Sequence, residues 1–142
     1  GDVHPGEWYP QTAWLDAFRE IASNFGANTL YLIGTSVPDN AQFPEEIKDM
    51  KSSLESINIA YHMNHRGGEI GYYLVQEYHP EKRLAIMECK NPYPSHFDRG
   101  IIYAMAQRFQ PTQHPLLDVT RDPDKPSRLF GADSCTYRIT WN

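Results

Sequence analysis

Apolar residues recur every three to four positions in three long stretches of the chain, and this spacing places them on one face of a helix. A fourth, shorter stretch is rich enough in β-formers to be a strand, but we interpret it as a short helix that ends before Gly34. Prolines and polar residues after it indicate a loop. The predicted helices cover Thr12–Phe25, Asn28–Ile33 and Ile47–His65, a fourth starts at Ser95, and the loop covers Thr35–Pro44.

Local residues indicate where these helices begin and end. We expect Thr12 to cap the first helix, and Gly26 stands where a C-terminal glycine belongs. The glycine pair at 67–68 is expected to end the third helix. Ser95, followed three residues later by Asp98, resembles the acidic variant of a capping box and would begin the fourth. On this interpretation Asp98 is a solvated first-turn residue.

Alternating apolar and polar residues predict four strands. Glu69–Tyr78 and Arg83–Lys90 form a hairpin around a turn at His79–Lys82, and two further strands cover Leu116–Arg121 and Cys135–Trp141. Because strands and helices do not alternate as βαβ units, the sheet should be mainly antiparallel. We therefore predict a single α+β domain over residues 1–142, with about four strands in two hairpins and the helices packed on one face.

Charge and composition exclude several classes of function. Eighteen acidic and thirteen basic residues give a formal net charge of −5, and no Lys/Arg run marks a nucleic-acid surface. The sequence has no apolar stretch of membrane-spanning length, and its first residues do not resemble a signal peptide. Two cysteines are too few for a secreted disulfide scaffold, so we expect a cytoplasmic protein without membrane insertion.

Two segments could carry chemistry. His62 and His65 lie one helical turn apart, a spacing that can chelate a metal but equally suits a helix C-terminus or the mouth of a pocket. The stretch 91–100 holds two prolines before a helix, and Ser95 with the first-turn amides could receive an anion or simply cap a stiff connector. Nucleophile motifs and phosphate loops are absent, so an enzyme is not expected.

The segments 91–102 and Phe130–Trp141 resemble the strand-to-helix junction and the closing strand of vinyl-4-reductase-type ligand-binding domains. The resemblance implies a helix-covered antiparallel sheet, usually dimeric, around an enclosed pocket for a small apolar molecule. The broader superfamily includes haem nitric-oxide-binding sensors and small subunits of the TRAPP vesicle-tethering complexes, so haem stays open as a cofactor.

Two departures from these relatives concern metals. Aromatic-sensing members hold zinc through an acidic residue and three cysteines, whereas this chain has serine at two of the three matching cysteine positions. Because a neutral serine is a poor zinc ligand, we predict no zinc there. The haem branch has a Tyr-x-Ser-x-Arg signature, of which this chain keeps Tyr93 and Ser95 but has Phe97 in place of arginine. A proximal histidine is not assigned. The positions that the resemblance matches to the zinc ligands are Ser95, Asp124, Ser127 and Cys135.

Together these observations predict a sensory or regulatory domain of a signalling protein. A small apolar or aromatic ligand would lie between helices and sheet in a homodimer, with an output domain on the full-length chain and no nucleic-acid partner. The alternatives are a haem, gas or metal sensor, and a dimerisation or scaffold module without ligand. The polar end of the ligand would be fixed by groups drawn from Trp8, His62, His65, Tyr72, Tyr93 and Ser95.

Overall fold

The computed structural model describes residue 8 and the ranges 10–41, 43–44, 47–65, 70–109, 117–127 and 131–141. These residues form three helices, a strand pair, a fourth helix and a second strand pair, which confirms the predicted α+β order. None of the described helices is long and apolar enough to cross a membrane. The elements are α1 (Gln11–Phe25), α2 (Ala27–Asn40), α3 (Met50–Asn64), β1 (Tyr72–His79), a 3-10 turn (Pro80–Lys82), β2 (Leu84–Lys90), α4 (Ser95–Arg108), β3 (Asp118–Arg121) and β4 (Ser134–Thr140).

The four strands form one sheet in the order β1-β2-β4-β3, and every neighbouring pair is antiparallel. The two predicted hairpins are therefore confirmed, and β2 and β4 join them at the centre. The observed strand bounds lie within a few residues of the predicted ones. The predicted starts at Glu69 and Leu116 lie outside the described residues.

One face of the sheet carries the helices. The strand register places Cys89 beside Tyr73 on one side and Cys135 on the other, and all three side chains are buried. Helix α3 packs against β1 and α4 against β3, so the main core lies between these helices and the sheet. This confirms the predicted packing of the helices on one face of the sheet.

Helix α2 runs through Gly34 to Asn40, so the predicted stop at Gly34 and loop from Thr35 were wrong. Gly34 lies at the contact with α4, where a Cβ would come within 2.1 Å of the Phe97 carbonyl oxygen. Gly100 faces it across the contact. Packing of two helices at this short distance outweighs the loss of roughly 1 kcal/mol that a glycine costs inside a helix.

Helix α1 begins one residue earlier than predicted. Pro10 occupies the N-cap position and Thr12 lies inside the first turn, so the predicted cap by Thr12 was wrong. The glycine at position 26 does end the helix, with a φ of 85° that a residue with a Cβ rarely adopts. The glycine pair at 67–68, expected to end the third helix, lies outside the described residues.

Side-chain caps differ between the other two long helices. Asp49 caps α3, accepting from the Ser52 amide, while the Ser52 hydroxyl accepts from the Asp49 amide. In α4 the N-cap is Pro94 and no side chain caps the helix, so the predicted capping box of Ser95 and Asp98 was wrong. Both side chains point instead into the protein, where they make the contacts described next.

Candidate ligand site around His65 and Tyr93

His65 follows the last turn of α3, and its half-buried imidazole is held at both nitrogens. Nδ1 lies 2.8 Å from the Tyr61 carbonyl oxygen, and Nε2 lies 2.6 Å from the Tyr93 hydroxyl. A carbonyl only accepts hydrogen bonds, so Nδ1 carries the proton in the neutral ring. Nε2 therefore presents its lone pair and accepts from Tyr93. This lone pair is the group through which His65 would bind a hydrogen-bond donor or a metal.

Burial sets the proton affinities of this pair. It lowers the pKa of His65, with a smaller contribution from nearby His62, while the bond to the Tyr61 carbonyl acts in the opposite direction. Burial also raises the pKa of Tyr93, although the nearby Gln11 side chain acts to lower it. Both groups are therefore neutral at physiological pH, as the Nε2 hydrogen bond requires.

We expect the pKa of His65 to rise when Tyr93 is replaced by phenylalanine, because the donor that stabilises neutral imidazole is lost. In the unfolded parent protein the pKa of His65 is near the ordinary value of about 6.5. This is above the pKa of His65 in the folded protein. The unfolded state thus binds more protons, and the free energy of unfolding should fall as pH drops from that value through the folded pKa. Tyr93→Phe should narrow the pH range over which stability falls, because it brings the folded pKa of His65 closer to the unfolded pKa.

Histidine NMR titrations and urea unfolding between pH 5 and 7.5 measure both effects. Tyr72→Phe is the matched control, because it removes a tyrosine hydroxyl on the opposite face of the sheet. A His65 pKa that moves equally in both variants would contradict the role assigned to Tyr93.

Gln11 gives the site a second polar feature. Its amide lies close enough to Tyr93 to influence the pKa of that hydroxyl. In the described part of the chain, however, Gln11 Nε2 is buried without a hydrogen-bond partner of good geometry. A buried donor without a partner costs free energy, on the order of 1–3 kcal/mol. The surroundings of the Tyr93 hydroxyl therefore offer an acceptor on His65 and a donor on Gln11.

Aromatic rings surround this point. Phe18 of α1 packs against Tyr93 at 5.7 Å and against Phe97 at 4.8 Å between ring centroids. Tyr61 contacts Tyr73 at 5.2 Å and Tyr93 at 6.4 Å. We call these five residues the aromatic cluster. They occupy space between the helices and the sheet where a sheltered ligand cavity was expected.

A buried polar network continues from Tyr93 into the sheet. The Tyr93 amide donates to Asn91 Oδ1 at 2.9 Å, and Asn91 Nδ2 donates to Asp98 Oδ2 at 3.1 Å. Tyr73 donates its hydroxyl to the other Asp98 oxygen, and burial followed by the Asp98 charge raises the pKa of Tyr73 well above its usual value. Asp98 is 0% exposed, so its interpretation as a solvated first-turn residue was wrong.

Of the six residues predicted to bind a ligand, the structure brings two into direct contact, His65 and Tyr93. Ser95 is close in sequence, but its hydroxyl points to Cys135. Trp8 is 48% exposed. Exposed His62 bonds its own helix through the Asn58 carbonyl, and Tyr72 donates to Glu88 on the outer face of the sheet.

Three of the four positions matched to zinc ligands do gather. Cys135 Sγ lies 2.9 Å from Ser95 Oγ and 3.5 Å from Ser127 Oγ, while Asp124 is exposed. The described residues contain no group of three or more His, Cys, Asp or Glu side chains placed to hold a metal. One buried thiol among hydroxyls is a packing contact, and the absence of zinc remains a prediction.

Apart from Tyr93, the sequence patterns did not indicate the members of the polar network or of the aromatic cluster as site residues. Asp98 lies four residues before the fully buried Ile102 on the same helix row. That spacing was the available sign that its carboxylate faces inward. Phe18 lies within the predicted helix Thr12–Phe25, but its contact with Tyr93 depends on how that helix packs against the rest of the protein.

Comparison with known proteins identifies the fold. No protein-family model matches the chain, and no curated protein does. An H-NOX protein from S. oneidensis in the Fe(II) ligation state superposes with a TM-score of 0.71 over 100% of this chain and 78% of that one, at 12% identity. The chain has the H-NOX fold.

Two further H-NOX structures agree. One, from work on heme distortion in the H-NOX family, has a TM-score of 0.65 and 11% identity, covering 100% of this chain and 77% of that chain. The other is the IWP-051-bound H-NOX from Shewanella woodyi in the Fe(II)CO ligation state, with a TM-score of 0.56 and 16% identity over 95% and 73%. At such identities the likeness shows the fold alone. Vinyl-4-reductase and TRAPP relatives are not among these structures.

Proposed function

We propose that this H-NOX-fold domain is a sensory domain that binds a small, mostly apolar molecule bearing a hydroxyl group. The observation that carries the proposal is the position of the Tyr93 hydroxyl. It lies against the His65 lone pair and the Gln11 amide, inside the aromatic cluster. The ligand hydroxyl would take the place of this hydroxyl, since a hydroxyl both donates and accepts hydrogen bonds.

The surroundings favour an aromatic ligand. Phe18 meets Tyr93 edge-on, with an interplanar angle of 71°, an arrangement that a phenol entering in place of the Tyr93 ring would reproduce. Displacing the Tyr93 ring would also strain its backbone. That backbone is tied through Asn91 to Asp98 in the first turn of α4. Binding would therefore shift the start of α4, which provides a route from ligand to output.

Haem is the second candidate, because H-NOX structures are the neighbours and one of them addresses heme distortion. The residues around His65 do not fit haem as they stand. Iron would have to displace the Tyr93 hydroxyl from the Nε2 lone pair, as the proposed phenol would, so the space around His65 decides between them. The rings of Phe18 and Phe97, packed on Tyr93, occupy space that a macrocycle at His65 would need.

A titration with phenol, p-cresol and hemin tests the proposal. We expect p-cresol to bind saturably, to raise the melting temperature, and to lose about tenfold in affinity in His65→Ala, as removing one buried hydrogen bond predicts. His62→Ala is the matched control, one helical turn away and exposed. A Soret band that His65→Ala abolishes would replace this proposal with the haem sensor. If none of the three compounds binds saturably, the result would favour a scaffold module without ligand. The aromatic cluster that fills the interior is also compatible with that alternative.

We further propose that the domain is cytoplasmic and forms a homodimer that passes its signal to an output domain on the full-length chain. Exposed apolar side chains on the outer helices support the dimer. Trp14 is 45% exposed, Phe25 70% and Leu32 54%. A single-subunit mass in native mass spectrometry at micromolar concentration would contradict the dimer.

A further inference from the structure

A cleft of about 260 Å³ opens between the first turns of α4 and the strands β3 and β4. It lies on the face of α4 that carries residues 95, 96 and 99, away from the inward-facing Phe97 and Asp98. It is thus separate from the His65 site. Its lining residues are Ser95, His96, Arg99, Val119, Thr120, Arg121 and Tyr137.

The lining is basic although the chain as a whole is acidic. His96, Arg99 and Arg121 face the cleft, and the described residues that line it include no carboxylate. The formal charge of the whole chain is −5. Burial, followed by the positive charges of Arg99 and Arg121, lowers the pKa of His96, so the three groups are near enough to repel one another. An anion between them would relieve that repulsion.

Backbone and aromatic groups organise the same cleft. Ser95 and His96 are the first residues of a 14-residue helix, where backbone amides have no intrahelical acceptor and the helix dipole favours negative charge. The Arg99 guanidinium carbon lies 4.2 Å from the centroid of the Tyr31 ring. Stacking fixes the plane of the guanidinium and leaves its edge N–H groups for a ligand. Val119 and Tyr137 add an apolar wall.

We propose that this cleft is a binding site for a phosphate group carried by a small molecule. Arg99 and Arg121 would donate charge-assisted hydrogen bonds to the phosphate oxygens, and His96 would add a third donor once protonated. The apolar wall would contact the organic part of the molecule. The site does not depend on the function proposed for His65, since it uses the other face of α4.

Titration with phenyl phosphate and inorganic phosphate, followed by amide NMR and calorimetry at low ionic strength, tests the site. We expect saturable shifts at His96 and Thr120 and about a tenfold loss of affinity in Arg121→Gln. Arg138→Gln is the matched control, because Arg138 lies on the neighbouring strand and is exposed. Tighter binding of phenyl phosphate than of inorganic phosphate would support an organic phosphate as the ligand, and equal affinities would contradict the proposed contact between its organic part and the apolar wall.

The proposal is overturned if neither compound gives saturable shifts, or if Arg138→Gln weakens binding as much as Arg121→Gln. If Arg121→Gln does not fold, the pKa of His96 in the parent protein, measured with and without phosphate, tests the proposal instead. Bound phosphate should raise the measured pKa of His96, which is surrounded by Arg99 on its own helix and Arg121 on the adjoining strand. A pKa of His96 that phosphate leaves unchanged would also overturn the proposal.

Discussion

Replacing Gly100 by alanine should lower the free energy of unfolding by about 3 kcal/mol, the upper end of what overpacking a core costs. A Cβ at Gly100 would lie 2.1 Å from the Tyr31 carbonyl oxygen and 2.9 Å from the Thr35 amide nitrogen. Both atoms belong to the backbone of α2, so no side chain can move aside. The two helices would have to separate, and α4 would leave its place on the sheet.

Gly34 on the other helix has no room for a side chain either, because a Cβ there would lie 2.1 Å from the Phe97 carbonyl oxygen. Urea unfolding of Gly34→Ala and Gly100→Ala measures the effect. Ser36→Ala is the control, since it changes an exposed position of α2 without adding volume. Helix propensity alone predicts that Gly100→Ala stabilises the protein. If it does, the two helices are not in close contact.

Replacing Asp98 by alanine should cost a similar amount, about 3 kcal/mol, because it leaves two buried donors without an acceptor. The carboxylate is 0% exposed and accepts from the Tyr73 hydroxyl and from Asn91 Nδ2. Asp98→Asn keeps the size but turns one acceptor into a donor, so we expect a smaller loss of about 1.5 kcal/mol.

An exposed aspartate provides the comparison. Asp16 of α1 pairs with Arg19 at 3.4 Å, with both side chains largely in solvent, so Asp16→Ala should change stability by less than about 0.5 kcal/mol. Equal effects of Asp16→Ala and Asp98→Ala in urea unfolding would mean that the Asp98 network is not buried as described. Tyr73→Phe should lower the free energy of unfolding by a similar amount. If the losses of Tyr73→Phe and Asp98→Asn do not add in the double variant, the two groups act together.

The sequence predicted those parts of the fold that depend on local patterns. Helical spacing located three of the four helices, and alternation located both hairpins. It failed at Gly34, where the deciding contact is with Gly100, far along the chain. Local propensity treats that glycine as a helix stop, whereas close packing of two backbones requires it there.

The candidate site was predictable in part for a similar reason. His65 and Tyr93 stood out as polar groups near a helix end and a proline-rich junction, but their pairing spans 28 positions. Tyr72 was chosen and Tyr73 was not, because both faces of that strand carry apolar residues and alternation does not say which face the helices cover. The register with β2 and the position of α3 decide it.

We propose above all that the ligand binds the Nε2 lone pair of His65. Nitrogen-detected NMR of the labelled imidazoles tests this most directly. Without ligand, His65 should be neutral with its proton on Nδ1. Saturating p-cresol should shift its Nε2 resonance and leave both nitrogens of His62 unchanged. A His65 ring protonated on Nε2, or a ligand that binds tightly without moving the His65 resonances, would contradict the account.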